Sequence, residues 1–414
     1  MLRHGKARRN GGGDNRSYVC ERGAVRDTSR VTVTTNPQVA VARQVASAVL
    51  PVGAAILPFG LVLDRVFPSV AVDAAFVALA LFTTALVAVY APVPPLALVL
   101  ACGGVIVVAL TQRPNLFAVT LIPLVVVAFE HVDARRAVRR FTVTSAVLFA
   151  AVVAAYLLTG FNGDNDFEAW RTYSSEFVQR QALGFSHPNR AMMEWAVIVL
   201  AIMGFASPRA RGWWLIPLLA VTAALYTVTD SRASGIVAGA FIALVWLFRR
   251  RLDRPVPAPL RGLTVIAPIL FAAASFALPL LRDDPAANGL LTGRPAVYGS
   301  LLDTYPIATL FGTQAVEEAI VDNGFIHFAL SKGIPLTVLY IGLLMWIIRR
   351  AAVLSLRTVA IVWAFLALAL VETTLLEFAL LFLVAATVEL DRSESPHVDL
   401  PVAGRDVRRR DRHL

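Results

Sequence analysis

Arg190, Arg232, Arg294 and Asp322 stand in short polar motifs inside a strongly apolar chain: SHPNR (Ser186 to Arg190), TDSR (Thr229 to Arg232), LTGR (Leu291 to Arg294) and VDNG (Val321 to Gly324). Guanidinium forks match the oxygens of phosphate and pyrophosphate, and a carboxylate beside them could take a proton from a hydroxyl. Three of the motifs precede an apolar run and read as helix starts, where unpaired amides and the positive end of the dipole point outward. Pro188 fits a first helical position with His187 or Ser186 as cap, and Asp322 or Asn323 fits the cap of the last motif. An arginine in a first turn is repelled by the dipole, and a bound anion relieves the conflict. The plainer account is local: Ser, Asp and Asn as caps, Arg190 paired with Glu194 one turn on, and Arg232 paired with Asp230.

On the anion reading Asp322, Arg294 and Arg232 carry the chemistry, while Arg190, His187, Asn189, Asn323, Ser231 and Tyr305 bind substrate. Asp64 and His187 are weaker alternatives to Asp322 as base. GDND (Gly163 to Asp166) has the look of a carboxylate pair, but short acidic turns are common, so neither a metal site nor a cofactor is expected there. Glu372 and Glu377 are unusual beside apolar segments and receive no role from the sequence. For His327 and Lys332 the bland reading holds.

The elements that must position these residues follow from composition. Hydrophobic residues make up 57% of the chain and charged residues 16%, with a mean hydropathy of +0.67. Apolar windows of about 16 to 22 residues alternate with polar punctuation, as in helices that satisfy their own backbone in a bilayer. The expected fold is all-α: a polytopic transmembrane helix bundle of about 12 spans with a large extracytoplasmic loop before span ten. Spans two to four are expected at 70–90, 94–111 and 115–130, span five at 141–159, span six at 188–206, span eight at 233–248 and span ten at 325–348.

Arginine and lysine concentrate in 131–140, in 249–261 and in the tails, which places those segments and both termini in the cytosol. The net charge of +10 is therefore a topology signal rather than a nucleic-acid footprint. Residues 1–43 read as a basic disordered cytosolic tail, 44–390 as the membrane domain, and 391–414 as a second basic cytosolic tail. Cys20 and Cys102 fall in different settings and suggest neither a disulfide nor a metal site. Two polar stretches, 160–187 and 282–324, fall on the outer side. The second far exceeds an ordinary connection and reads as a lid over an anion site floored by the starts of spans six, eight and ten.

At GFSHPNR (Gly184 to Arg190), TDSRAS (Thr229 to Ser234), LTGR with DTYP (Asp303 to Pro306) and LFG (Leu310 to Gly312), and DNGFIHFALSKGIP (Asp322 to Pro335), the chain resembles the O-antigen polymerase and O-antigen ligase family. The resemblance covers about residues 140–390 in order and spacing. It implies a bacterial plasma-membrane glycosyltransferase with undecaprenyl-pyrophosphate-linked glycans as donor and acceptor, Arg232 and Arg294 in the phosphate role, and no metal. A chain-length regulator or a flippase would be a partner. Ligases of the family place a histidine where this chain has Asp322, a departure that favours polymerisation. The alternatives are a ligase acting on another surface acceptor and, from another class, a lipid-linked oligosaccharide transporter. A transporter should carry charge along a mid-membrane path and broken helices.

Overall fold

The computed structural model describes residues 37–56, 132–171, 176–291, 293–305, 312–316, 321–375 and 377–394. Spans two to four, most of the N-terminal tail, Asp64, and the C-terminal tail beyond residue 394 lie outside the described residues. The protein is mostly helical. Helix α1 is Pro37–Ile56, so it begins inside the segment read as a tail, with proline at the position where its missing amide costs nothing. Helix α2 is Ala134–Thr159. It starts seven residues before the expected span five because the Asp133 side chain accepts the Arg136 amide and caps it. Gly160, at φ 71°, closes its far end.

The central elements follow in pairs: α3 (Pro188–Phe205), α4 (Pro208–Thr229), α5 (Arg232–Leu247) and α6 (Ala258–Ala277), the last extended by a 3-10 turn to Leu281. Helix α3 is buried on every face, from Ala191 to Met203, and packs on α2, α4 and α5. Such all-round burial marks it as the bundle's centre. Among the described residues, three helices are long and apolar enough to cross a membrane: α2, α4 and α6 with its extension. Their outward faces are apolar too, with Val147 and Leu158 on α2 and Trp213 and Ile216 on α4 all exposed. Water penalises such a surface and lipid does not.

Two departures from the sequence reading are physical. Two strands, β1 (Phe167–Arg171) and β2 (Glu176–Arg180), pair antiparallel, with Phe167 opposite Arg180. The all-α expectation is therefore amended by a small two-stranded β element. The expected span ten is two helices, α9 (Gly324–Lys332) and α10 (Ile334–Arg349), which follow α7 (Pro285–Leu290) and α8 (Arg294–Thr304). Gly333 separates them at φ 88° and ψ 159°. Only glycine takes that conformation at low cost, and Pro335 supplies no amide with which to continue the first helix. Two further helices, α11 (Leu356–Val371) and α12 (Phe378–Glu394), complete the described chain.

The described parts of 282–324 fold against the bundle. Tyr298, Val316, Val321, Ile326 and Leu330 form a small apolar core joined by Phe276, Leu301 and Tyr305. The Thr313 amide donates to the Leu330 carbonyl at 2.8 Å. The bundle thus has two polar ends. One collects the β1–β2 pair, the described parts of 282–323, and Glu372 and Glu377; the other collects Arg211, Asp253, Arg357 and Asp391.

Candidate functional site

The first polar end is built where α3, α5 and α9 begin against the end of α11. His187 is the N-cap of α3, its Nδ1 accepting the Asn189 amide at 3.1 Å. Asn323 is the N-cap of α9, its Oδ1 accepting the amides of Phe325 and Ile326 at 3.0 Å each. Its Nδ2 donates to the Leu370 carbonyl at 3.0 Å, so this wholly buried side chain is committed to holding α9 on α11. Asp322 is therefore released from capping and faces the site. Ser231 is the N-cap of α5 by position but makes no side-chain cap bond, and its buried Oγ has no hydrogen-bond partner among the described residues.

Glu372 follows α11 directly and ties these starts together. Its Oε1 accepts from Ser234 Oγ at 3.2 Å and its Oε2 from Asn189 Nδ2 at 3.4 Å. Arg180, at the end of β2, completes the link. Its Nη2 donates to Asn189 Oδ1 at 2.6 Å and its Nε to the Thr229 carbonyl at 2.9 Å, while its guanidinium lies 5.4 Å from the centre of the Phe167 ring. The same ring sits 5.3 Å from His187. Opposite, Arg294 at the start of α8 contacts Asp322 at 3.4 Å, both half-buried. The Tyr298 hydroxyl donates to the Asp322 carbonyl at 2.7 Å.

Electrostatics bind the same residues. The Glu372 carboxyl is pushed up to about 7, chiefly by burial and further by the charge of Asp322, against the opposing pull of Arg294 and the Ser234 hydrogen bond. Burial and Arg180 hold His187 below its usual range, while Asp322 pulls it upward. Tyr298 is raised by burial, so its hydroxyl stays a donor. Glu372, Asp322, His187, Arg180 and Arg294 thus sense one another's charge, the situation in which protonation states become adjustable.

Of the residues singled out in the sequence, His187, Asn189, Arg294 and Asp322 come together, and Ser231 and Arg232 stand at the start of α5, whose Ser234 reaches Glu372. Arg232 is within 3.4 Å of Asp230. Arg190 is held elsewhere, between Glu194 and Glu377 at 2.7 Å each, as the local pairing predicts; the two flanking carboxylates offset its charge. Tyr305 packs on the small apolar core. Arg180 and Glu372 were the missed members. Arg180 lies in a strand with no helix-start signal, and Glu372 was visible only as an unassigned charge. The GDND turn is structural: Asp166 accepts from the Tyr156 hydroxyl at 2.6 Å and the Ala182 amide at 2.7 Å. No group of three potential metal ligands occurs among the described residues. No known protein family, curated protein or solved structure matches the chain.

Proposed function

We propose that this protein is an integral-membrane glycosyltransferase that polymerises lipid-linked oligosaccharide repeats at the outer face of the bacterial cytoplasmic membrane. The observation that carries the reading is the meeting of the starts of α3, α5 and α9 with Arg180, Arg294, His187 and Asp322. Helix starts and guanidinium groups together suit a pyrophosphate. In the reaction an acceptor hydroxyl oxygen bonds to the anomeric carbon, and the bond from that carbon to the phosphate oxygen breaks. The electron pair leaves with the lipid pyrophosphate, and the hydroxyl proton passes to the Asp322 carboxylate. Arg294 and Arg232 stabilise the charge gathering on the leaving group, and the first turns of the helices orient it. Arg294 then exchanges part of its contact with Asp322 for phosphate, which frees the carboxylate as the donor arrives.

One observation favours a second reading, transport of the lipid-linked oligosaccharide: the break at Gly333, since transporters use interrupted helices. The polar groups nevertheless gather at the bundle's ends. Purified protein given a lipid-linked repeat should produce a ladder of products, whereas a single transfer to another acceptor identifies a ligase. In cells, Arg294→Ala and Arg232→Ala should abolish polymer while lipid-linked single repeats accumulate outside. Unchanged polymer length in both variants overturns the arginine roles, and accumulation inside replaces polymerisation with transport.

A further inference from the structure

At the opposite end of the bundle a cavity of about 650 Å³ opens between α2, the end of α3 and the start of α4. Its polar wall carries Arg135 and Arg139, one turn apart on α2, together with Arg211, Arg357 and Asp253. Four guanidinium groups and Asp253 line the cavity, and behind the wall Asp391 pairs with Arg357 at 3.3 Å and Glu394 with Arg135, so cations exceed carboxylates by one. Asp253 is already shared, lying 3.4 Å from Arg211 and 2.8 Å from Arg357. Arg211 and Arg357 are 1% and 3% exposed. These are not the solvated loop cations of an ordinary cytosolic face but fixed charges in a wall.

Arg211 is spent on the carbonyls of Met203, Gly204 and Arg249, so it contributes field rather than new bonds. Arg357 retains a buried Nε with no hydrogen-bond partner among the described residues. Ser207 and Pro208, which open α4, also line the cavity and add the positive end of a 22-residue helix. The other wall is apolar. Val143 and Trp214 line the cavity and are 58% and 44% exposed on helices long enough to cross a membrane. Phosphate chemistry at one side and hydrocarbon at the other describe a single ligand type.

We propose that this cavity binds an anionic phospholipid, its phosphate-bearing headgroup among the arginines and an acyl chain along Val143 and Trp214. The volume suits a headgroup, lying in the range of small-molecule sites, and the one net positive charge, with the start of α4 beside it, favours an anionic lipid over a zwitterionic one. Trp214 is a built-in reporter.

The protein would be reconstituted in phosphatidylcholine vesicles containing a minor fraction of either phosphatidylglycerol or phosphatidylcholine with brominated acyl chains. Quenching of Trp214 is read as the difference between the wild type and Trp214→Phe. Brominated phosphatidylglycerol should quench at a lower mole fraction than brominated phosphatidylcholine. Arg139→Gln, at an exposed position where folding is not at stake, should weaken that preference by about 5-fold, the share of one cation near an anionic surface. Equal quenching by both lipids, or an unchanged preference in Arg139→Gln, overturns the proposal. Loss of quenching on adding millimolar inorganic phosphate assigns the cavity to soluble phosphate and overturns it as well.

Discussion

Glu372 is the residue on which the candidate site turns, because it joins the starts of two helices while carrying a carboxyl that burial has made reluctant to ionise. Its pKa rises from 4.5 in the unfolded chain to about 7 in the folded one. The folded state therefore favours the protonated form. The group imposes no penalty below pH about 4.5, a growing one as pH rises towards 7, and its full penalty above that, on the order of 3 kcal/mol. Glu372→Gln keeps an acceptor for Ser234 or Asn189 and cannot ionise. The Tm of the variant minus that of the wild type should grow as pH rises from 5 to 8, on the order of several degrees. A difference independent of pH removes Glu372 from the titrating set. The sequence showed this glutamate only as a charge out of place, since its partners Asn189 and Ser234 lie far away along the chain. Arg232 and Arg294 were visible for the opposite reason: each stands at a turn or helix start, and such starts are written locally, whereas Arg180 at the end of β2 carries no such signal.

At the scale of elements, residues 312–316 are seated on the end of α9, and Gly312 is where the seat is made. It sits at φ 67°, and a β-carbon there would overlap the Ser331 carbonyl. Next to it, Thr313 donates to the Leu330 carbonyl at 2.8 Å. Gly312→Ala combines a disfavoured backbone conformation with a clash against main chain, which has no rotamer to yield. The expected result is that residues 312–316 lift from α9, with a loss of about 2 kcal/mol or more and much faster proteolysis within 312–316 than in the wild type. Equal proteolysis of the two proteins shows that the segment does not rest on this contact. LFG was recognised as a motif in the sequence, but the partner surface was not, because it is the end of a helix that the sequence ran together with the next. The KGIP tetrapeptide (Lys332 to Pro335) held the evidence for that break. Apolar residues on both sides masked it, since hydropathy measures what a segment dissolves in and not whether its hydrogen-bond ladder is continuous. Asn323 shows the converse: two adjacent residues could cap α9, and only packing against Leu370 decides between them.

For the whole molecule, the alternation of apolar windows was enough to place the starts of α3, α5 and α9 at one end, because antiparallel neighbours leave no other arrangement. The same alternation gives the molecule its polarity in the membrane: Asp283, whose side chain is 96% exposed, belongs to the end with the candidate site, and Arg136, 78% exposed, belongs to the arginine-rich end. Positive loops stay in the cytosol, so the site should face outward, where repeats carried on exported lipid are found. With Cys20 and Cys102 replaced by serine, Asp283→Cys should react with a membrane-impermeant maleimide on intact cells, and Arg136→Cys only after permeabilisation. Both positions are exposed and outside the site and the apolar cores, so neither substitution threatens folding. The reverse pattern would turn the pyrophosphate site towards the cytosol and exclude polymerisation of exported repeats. Labelling of both on intact cells would deny that the bundle separates two compartments. If the proposed polymerisation holds, the expected pattern has the growing chain leave on the outer side and puts the proposed lipid site at Arg139 in the cytosolic leaflet.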